Sequence, residues 1–143
     1  MKIRCIHTKY SEINPPLNPE KYNYLSRVAL TLDKEYVVYA IMADEEANVK
    51  YLILDDDYIL YNRNLRYPAF HNSSFFEITD HLLPYEEWHF GIGTGDYNHI
   101  KAILGYKLIV KDQKHFEGIL LHDDYHVALF EKWRESIDQQ YIE

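Results

Sequence analysis

The chain has 143 residues, of which 47% are hydrophobic and 27% charged, and its formal net charge is −8 at pH 7. This length fits one domain with one hydrophobic core, and the composition is that of a folded chain rather than a disordered one. The negative charge repels phosphate backbones and anionic lipid surfaces, so it argues against nucleic acid and membranes as partners and favours a basic protein.

Residues 1–26 are predicted to form a short strand followed by an extended arm. The arm contains Pro15, Pro16 and Pro19, which remove backbone donors and stiffen the chain. The single Cys5 cannot form an internal disulfide. There is neither a secretory leader nor an apolar run of the roughly 18 residues that span a bilayer. The predicted location is therefore the cytoplasm.

Residues 28–92 are predicted to be rich in β-structure. The β-branched and aromatic residues of Glu35–Met42 predict a central strand, and Val49–Leu54 predicts its hairpin partner across the polar turn Asp44–Asn48. Short strands at this spacing favour a small, strongly curved antiparallel sheet or an SH3-like barrel. Further strands are predicted at Arg66–Phe70, whose proline confines it to a sheet edge, and at Phe75–Asp80 and Trp88–Ile92.

Residues 96–143 are predicted to be mixed in structure and rich in helix. Tyr97–Leu104 and Asp124–Gln140 carry apolar residues at three- and four-residue steps, which predicts two helices. Tyr106–Val110 is predicted as a strand between them. The whole chain, residues 1–143, is therefore predicted to be one α+β domain with C-terminal helices.

Three histidines near the C-terminus raise the alternative of a metal-dependent enzyme. On a continuous helix His122 and His126 would share a face, which is a spacing that zinc sites use, and His115 is close in sequence. The metalloprotease glutamate is missing between them, however. A solvated helix start capped by Asp124 is the simpler interpretation, so no metal, cofactor or catalytic residue is predicted.

Two other motifs have a chemical and a structural interpretation. The run Asp55–Asp57 could bind a hard cation, yet it lacks the alternating spacing, the glycine and the distal glutamate of a calcium loop, so a solvated turn is favoured. Gly91, Gly93 and Gly95 invite comparison with phosphate-binding loops, but no Lys-Ser/Thr pair follows them. Neither motif predicts a cofactor.

Acidic residues and tyrosines concentrate in the predicted hairpins and predict a docking surface for a basic protein. Between Ile41 and Tyr61 there are six acidic residues and one basic residue, Lys50. Such charge steers a basic partner, and tyrosine suits contact surfaces; a solvated acidic surface without a partner is the alternative. The candidate contacts are Asp44, Glu45, Glu46, Asp55, Asp56, Asp57, Tyr58 and Tyr61.

Residues 28–135 resemble small bacterial immunity proteins of polymorphic or contact-dependent growth-inhibition toxin systems. The pattern of that group is roughly Gly-Lys-Glu-Tyr-x-Val-Tyr, Tyr-Leu-Ile, Pro-x-x-Phe-Glu-Ile-x-Asp and Leu-Pro-x-x-Trp. Here Asp33 stands where the group has its first glycine, and the proline-bearing arm is additional. The matching segments are Leu32–Ile41, Tyr51–Ile53, Tyr67–Ala69, Phe75–Asp80, Leu83-Pro84 with Trp88, Gly105-Tyr106 and Phe130–Lys132.

The resemblance implies an SH3-like or otherwise strongly curved barrel followed by helices. It also implies that the protein neutralises a cognate toxin domain by occluding its active site or substrate surface. The acidic charge is compatible with this role, because nuclease toxins are often basic. The alternative within the class of binding proteins is a barrel-type adaptor for a peptide or protein unrelated to toxins.

Overall fold

A computed structural model describes residues 1–13, 28–46, 48–60, 66–84 and 88–141 of the chain. The predicted proline-bearing arm falls mostly on residues 14–27, outside the described residues. The described strands are β1 (Lys2–Cys5), β2 (Glu35–Val37), β3 (Ala40–Asp44), β4 (Val49–Leu54), β5 (Pro68–Asn72), β6 (Phe76–Asp80), β7 (Trp88–Gly91) and β8 (Ile100–Tyr106). The described helices are α1 (Asp57–Leu60), α2 (Lys107–Lys111), α3 (Gln113–Leu120) and α4 (Asp124–Gln139).

The strands form two antiparallel sheets. The smaller sheet has the order β2-β1-β6 and the larger has the order β5-β4-β3-β8-β7. The predicted α+β class is confirmed, and so is the hairpin, in which Ile41 of β3 faces Tyr51 of β4. The described strands do not close into a barrel.

The predicted central strand Glu35–Met42 is divided between the two sheets. Its first part is β2, and its last part belongs to β3. Between them the N–H of Val38 donates to the carbonyl of Met1 at 3.0 Å, while the N–H of Tyr39 donates to the carbonyl of Leu52 at 2.9 Å. The chain therefore passes from one sheet to the other at these two buried residues, which is why one apolar run serves two sheets.

The larger sheet is the middle of three layers and has a hydrophobic core on each face. Alternate residues of β4 point to opposite faces. Tyr51 and Ile53 pack toward the smaller sheet, whereas Leu52 and Leu54 pack toward the helices. Burial on both faces explains why β4 has a continuous apolar sequence.

In the C-terminal half, one predicted helix is confirmed, one predicted helix is a strand, and one predicted strand is a helix. Helix α4 matches the prediction for Asp124–Gln140, although its cap is Asp123, whose carboxylate accepts from the N–H of Tyr125. The predicted helix Tyr97–Leu104 is wrong, because residues 100–106 form β8 between β3 and β7. The predicted strand Tyr106–Val110 is also wrong, because residues 107–111 form α2. Among the described residues, no helix combines the length and the apolar character needed to cross a membrane.

Candidate partner-binding site

The turn between β3 and β4 is held by the side chain of Asp44. Its carboxylate accepts hydrogen bonds from the N–H groups of Glu46 at 2.9 Å and Asn48 at 3.0 Å. Burial alone would raise the pKa of Asp44, but these hydrogen bonds and the charge of Lys50 hold it below its ordinary value. Asp44 therefore stays charged and fixes the turn, while Glu45 and Glu46 are exposed to solvent.

A second loop extends this acidic surface. The N–H of Glu45 donates to the carbonyl of His99 at 2.9 Å, and Asp44 pairs with Ile100 at the start of β8. These contacts place the turn beside the loop of residues 95–99, in which Asp96 is exposed. We call the surface formed by Asp44, Glu45, Glu46 and Asp96 the acidic end.

An open cleft of about 340 Å³ adjoins the acidic end. One wall is the segment 91–94, which begins at the last residue of β7, and the other wall comes from α2 and α3. Tyr97 and Ile100 line the cleft. Tyr97 is on the loop beside the acidic turn, and Ile100 begins β8, which pairs with Asp44 of that turn. The apolar lining consists of Ile92, Tyr97, Ile100, Ile103, Ile109, Val110 and Phe116.

The cleft is not among the sites predicted from the sequence, although the sequence contains a signal for it. Phe90 and Ile92 are apolar residues next to glycines, and their side chains are 60% and 61% exposed. Exposed apolar side chains around a concave surface are typical of sites that bind a partner. The pattern Phe90-Gly91-Ile92-Gly93 is therefore a sequence signal for a contact surface as well as for the end of a predicted strand.

Close packing and backbone conformation favour glycine at two positions beside the cleft. A Cβ atom at Gly93 would lie 1.9 Å from the carbonyl oxygen of Tyr97, so the two backbone segments can approach only without a side chain there. Gly95 has a φ of +59°, a left-handed conformation that glycine adopts without strain. The fold thus accounts for these two glycines through packing and backbone conformation.

Polar groups at the cleft rim bond to one another across the opening. The hydroxyl of Thr94 donates to Oε1 of Gln113 at 3.4 Å, and Nζ of Lys111 donates to the carbonyl of Phe90 at 3.1 Å. The carboxylate of Asp112 caps α3 by accepting from the N–H groups of residues 114 and 115. The rim is therefore polar, while the interior of the cleft is apolar.

The acidic run Asp55–Asp57 is not the solvated turn that the sequence predicts. Asp56 is only 1% exposed, and its carboxylate accepts from Thr31 at 2.7 Å, from Tyr36 at 2.5 Å and from Lys34 at 2.5 Å. Asp55 is 6% exposed and lies 2.8 Å from Nε2 of His71. Both carboxylates are thus engaged inside the protein.

The predicted contact residues are consequently separated in space. The acidic turn and Asp55 lie at opposite ends of β4, and a strand of this length, Val49–Leu54, spans about 20 Å. Tyr58 is half-buried, and Cζ of Arg66 lies 4.9 Å from the centre of the Tyr58 ring. Tyr61 lies outside the described residues. Of the described residues in the predicted set, the exposed Glu45 and Glu46 and the partly buried Asp44 lie together in one turn.

His115, which is buried, pairs with the partly buried His126, and His122 lies apart from them. Nδ1 of His115 lies 3.0 Å from Nδ1 of His126, and Nε2 of His115 lies 2.8 Å from the hydroxyl of Tyr106. His122 instead stacks on the ring of Tyr67, with 4.8 Å between ring centres. Within the described part of the chain, no three His, Cys, Asp or Glu side chains are grouped to hold a metal ion.

The contact between His115 and His126 joins α3 to α4. It leaves little room for a larger side chain at Gly118, and it disfavours a positive charge on His115. Burial first, and then the neighbouring His126, lower the pKa of His115 to about 4, although Asp112 acts in the opposite direction. At Gly118 a Cβ atom would lie 2.2 Å from the ring of His126, so the two helices meet closely there. This geometry fits a packing contact between the two rings.

Among the described side chains, the acidic end and its cleft are open to solvent, whereas the carboxylates of Asp55 and Asp56 and the ring of His115 are buried. Comparisons with protein-family models, with curated proteins and with solved structures return no match to this chain.

Proposed function

We propose that this protein is an immunity protein that binds and neutralises a basic toxin domain. The observation that carries the proposal is the open apolar cleft beside the acidic end. The resemblance of residues 28–135 to immunity proteins supports the same role. The acidic end supplies the attraction, and the cleft supplies apolar surface for the contact.

Charge and apolar surface have different tasks in such an interface. A net charge of −8 accelerates the encounter with a basic protein, and this acceleration falls as salt rises. Affinity depends mainly on a few side chains buried at the centre of the contact. The exposed Phe90 and Ile92 beside the cleft provide apolar area of that kind.

Neutralisation would follow from occlusion. A nuclease toxin needs a basic groove for its nucleic-acid substrate. The carboxylates of the acidic end would compete with phosphates for that groove and exclude the substrate. The protein itself needs no catalytic group for this function.

The direct test is co-expression with each toxin domain that a neighbouring gene encodes. We expect a stoichiometric complex to co-purify and the protein to restore growth of cells that express the toxin. If neither complex nor rescue occurs with any neighbouring toxin domain, the proposal is wrong. Binding to a partner without toxic activity would instead support the adaptor alternative.

A charge reversal in the acidic end should slow complex formation. We expect Glu45→Lys combined with Glu46→Lys to reduce the association rate about tenfold at low salt and to flatten its salt dependence, because steering follows the local charge. Stopped-flow mixing at several salt concentrations measures both effects. The Glu45→Lys single variant is compared with Glu135→Lys, an exposed residue of α4 that changes the net charge equally. Equal slowing by both single variants would remove the acidic end from the interface.

A further inference from the structure

We infer that Tyr106, His115 and His126 form a directed chain of hydrogen bonds that holds α3 against α4 and opens when it takes up a proton. Tyr106 ends β8, His115 lies on α3 and His126 lies on α4. The Tyr106 hydroxyl is 2.8 Å from Nε2 of His115, whose Nδ1 is 3.0 Å from Nδ1 of His126. We call these three side chains the clasp. The clasp does not depend on the proposed function.

The position of each hydrogen in the clasp follows from counting donors and acceptors. Tyr106 is fully buried, and within the described residues its hydroxyl has no hydrogen-bond partner other than His115. Burial raises the pKa of Tyr106, so the hydroxyl keeps its hydrogen. A buried donor needs an acceptor, so Tyr106 donates to Nε2 of His115. A neutral imidazole has one N–H and one acceptor nitrogen, so His115 carries its hydrogen on Nδ1 and donates it to Nδ1 of His126.

An added proton can enter the clasp only by breaking a hydrogen bond, because both acceptor nitrogens are in use. On Nε2 of His115 the proton displaces the hydrogen of Tyr106. On Nδ1 of His126 it sets two N–H groups against each other across 3.0 Å. Reversal of the chain would avoid this clash, but it leaves the buried hydroxyl hydrogen of Tyr106 without an acceptor, which is costly. The neutral chain is therefore the form that joins the helices.

Burial outweighs the acidic groups around the clasp. Burial and then His126 lower the pKa of His115, while Asp112 at the start of α3 acts in the opposite direction. On α4 the ring of Tyr125 contacts His126 edge-on, and Asp123 caps the helix. The carboxylates of Asp112 and Asp123 both accept from backbone N–H groups of their helices. A positive charge in the clasp is therefore poorly compensated.

The packing of the two helices links the clasp to the cleft. A Cβ atom at Gly118 would lie 2.2 Å from the ring of His126, so α3 and α4 are in close contact at the clasp. Helix α3 also supplies Gln113 and Phe116 to the cleft wall. Separation of the helices would therefore change this wall, so proton uptake by the clasp would alter the shape of the cleft.

Nitrogen-15 magnetic resonance of the histidine rings tests the direction of the chain. In the whole protein at about pH 7.5, the ring of His115 is expected to carry its hydrogen on Nδ1 and the ring of His126 on Nε2. The spectra of His115→Gln and His126→Gln assign the two rings, each through the loss of its signals. A hydrogen on Nε2 of His115, or on Nδ1 of His126, would overturn the inference.

An acid titration followed by amide magnetic resonance tests the opening. Signals of residues 115–130 are expected to change at a pH at which those of β3 and β4 are still native, because the helices separate before the sheets unfold. His126→Asn should lower the pH of this change by at least about one unit, since asparagine offers an acceptor near the position of Nδ1 and takes up no proton.

His89→Asn is the matched control for the titration, because it makes the same change on an exposed residue of β7. It should leave the pH of opening unchanged. Thermal unfolding at neutral pH verifies that both variants are folded. An equal response of His126→Asn and His89→Asn, or loss of helix and sheet signals at the same pH in the original protein, would show that the clasp does not open on proton uptake.

Discussion

Replacing Asp56 with asparagine is expected to lower the free energy of unfolding by about 3 kcal/mol. The buried carboxylate of Asp56 accepts from Thr31, Tyr36 and Lys34. An asparagine of the same shape carries no charge to balance the Lys34 ammonium and offers one acceptor oxygen in place of two. Breaking a fully buried charge pair on one side costs about 3–5 kcal/mol. The Lys34 side chain is 37% exposed and one acceptor oxygen is retained, so the expected loss lies at the lower end of this range.

Urea denaturation of the purified variant at pH 7 measures this loss. Asp96→Asn provides the control, because the same change on an exposed loop residue should alter stability by less than about 0.5 kcal/mol. A loss for Asp56→Asn as small as that of the control would mean that the network does not stabilise the fold.

The stabilising effect of the hydrogen bonds around Asp56 depends on pH. Burial alone would raise the pKa of Asp56, but the hydrogen bonds from Lys34, Tyr36 and Thr31 bring it below its ordinary value of 3.8. A carboxylate with a lowered pKa stabilises the fold above the unfolded pKa and loses this effect as the pH falls through the folded pKa. The contribution of Asp56 is therefore complete at neutral pH and is lost below about pH 3.8.

Local patterns in the sequence predicted the elements whose environment is local. The β3–β4 hairpin follows from two apolar runs around the polar turn Asp44–Asn48. Helix α4 follows from a long apolar stripe, in which Phe130 and Ile137 are buried. Both apolar patterns extend over enough residues to distinguish the two-residue period of a strand from the 3.6-residue period of a helix.

The two wrong predictions, the helix Tyr97–Leu104 and the strand Tyr106–Val110, concern short apolar runs. Their structure is decided by tertiary contacts. Ile100 and Ile103 stand three residues apart, which imitates a helix, but β8 pairs with β3 on one side and β7 on the other. Residues 107–111 then have too few positions to show a helical period. Periodicity alone does not separate a short buried strand from a short helix.

The candidate site was predictable only where one turn contains it. Asp44, Glu45 and Glu46 are adjacent, so their grouping in one turn could be predicted from the sequence. The partners of Asp56, by contrast, lie 20, 22 and 25 residues away in the chain. The cleft is likewise assembled from β7, β8, α2 and α3. Such contacts depend on tertiary structure, which no local pattern contains.

Acid is expected to destabilise the protein through His115 before most carboxylates are protonated. His115 is fully buried between Tyr106 and His126, and its pKa is lowered from 6.5 to about 4. Between these two values the unfolded chain binds a proton that the folded chain does not, so stability falls as the pH falls. The effect is absent above pH 6.5 and complete near pH 4, and one pKa unit corresponds to about 1.4 kcal/mol.

The comparison of His115→Gln with His99→Gln isolates this contribution. His99 is exposed, so the His99→Gln variant should retain the pH dependence of the original protein. In His115→Gln the loss of unfolding free energy between pH 7 and pH 4.5 should be smaller by about 2 kcal/mol, because the titrating ring is gone. Urea denaturation of both variants at both pH values gives the four free energies of unfolding that the comparison requires. If both variants lose stability equally on acidification, the buried ring is not the group that senses acid, and the contact between α3 and α4 must tolerate a charged His115.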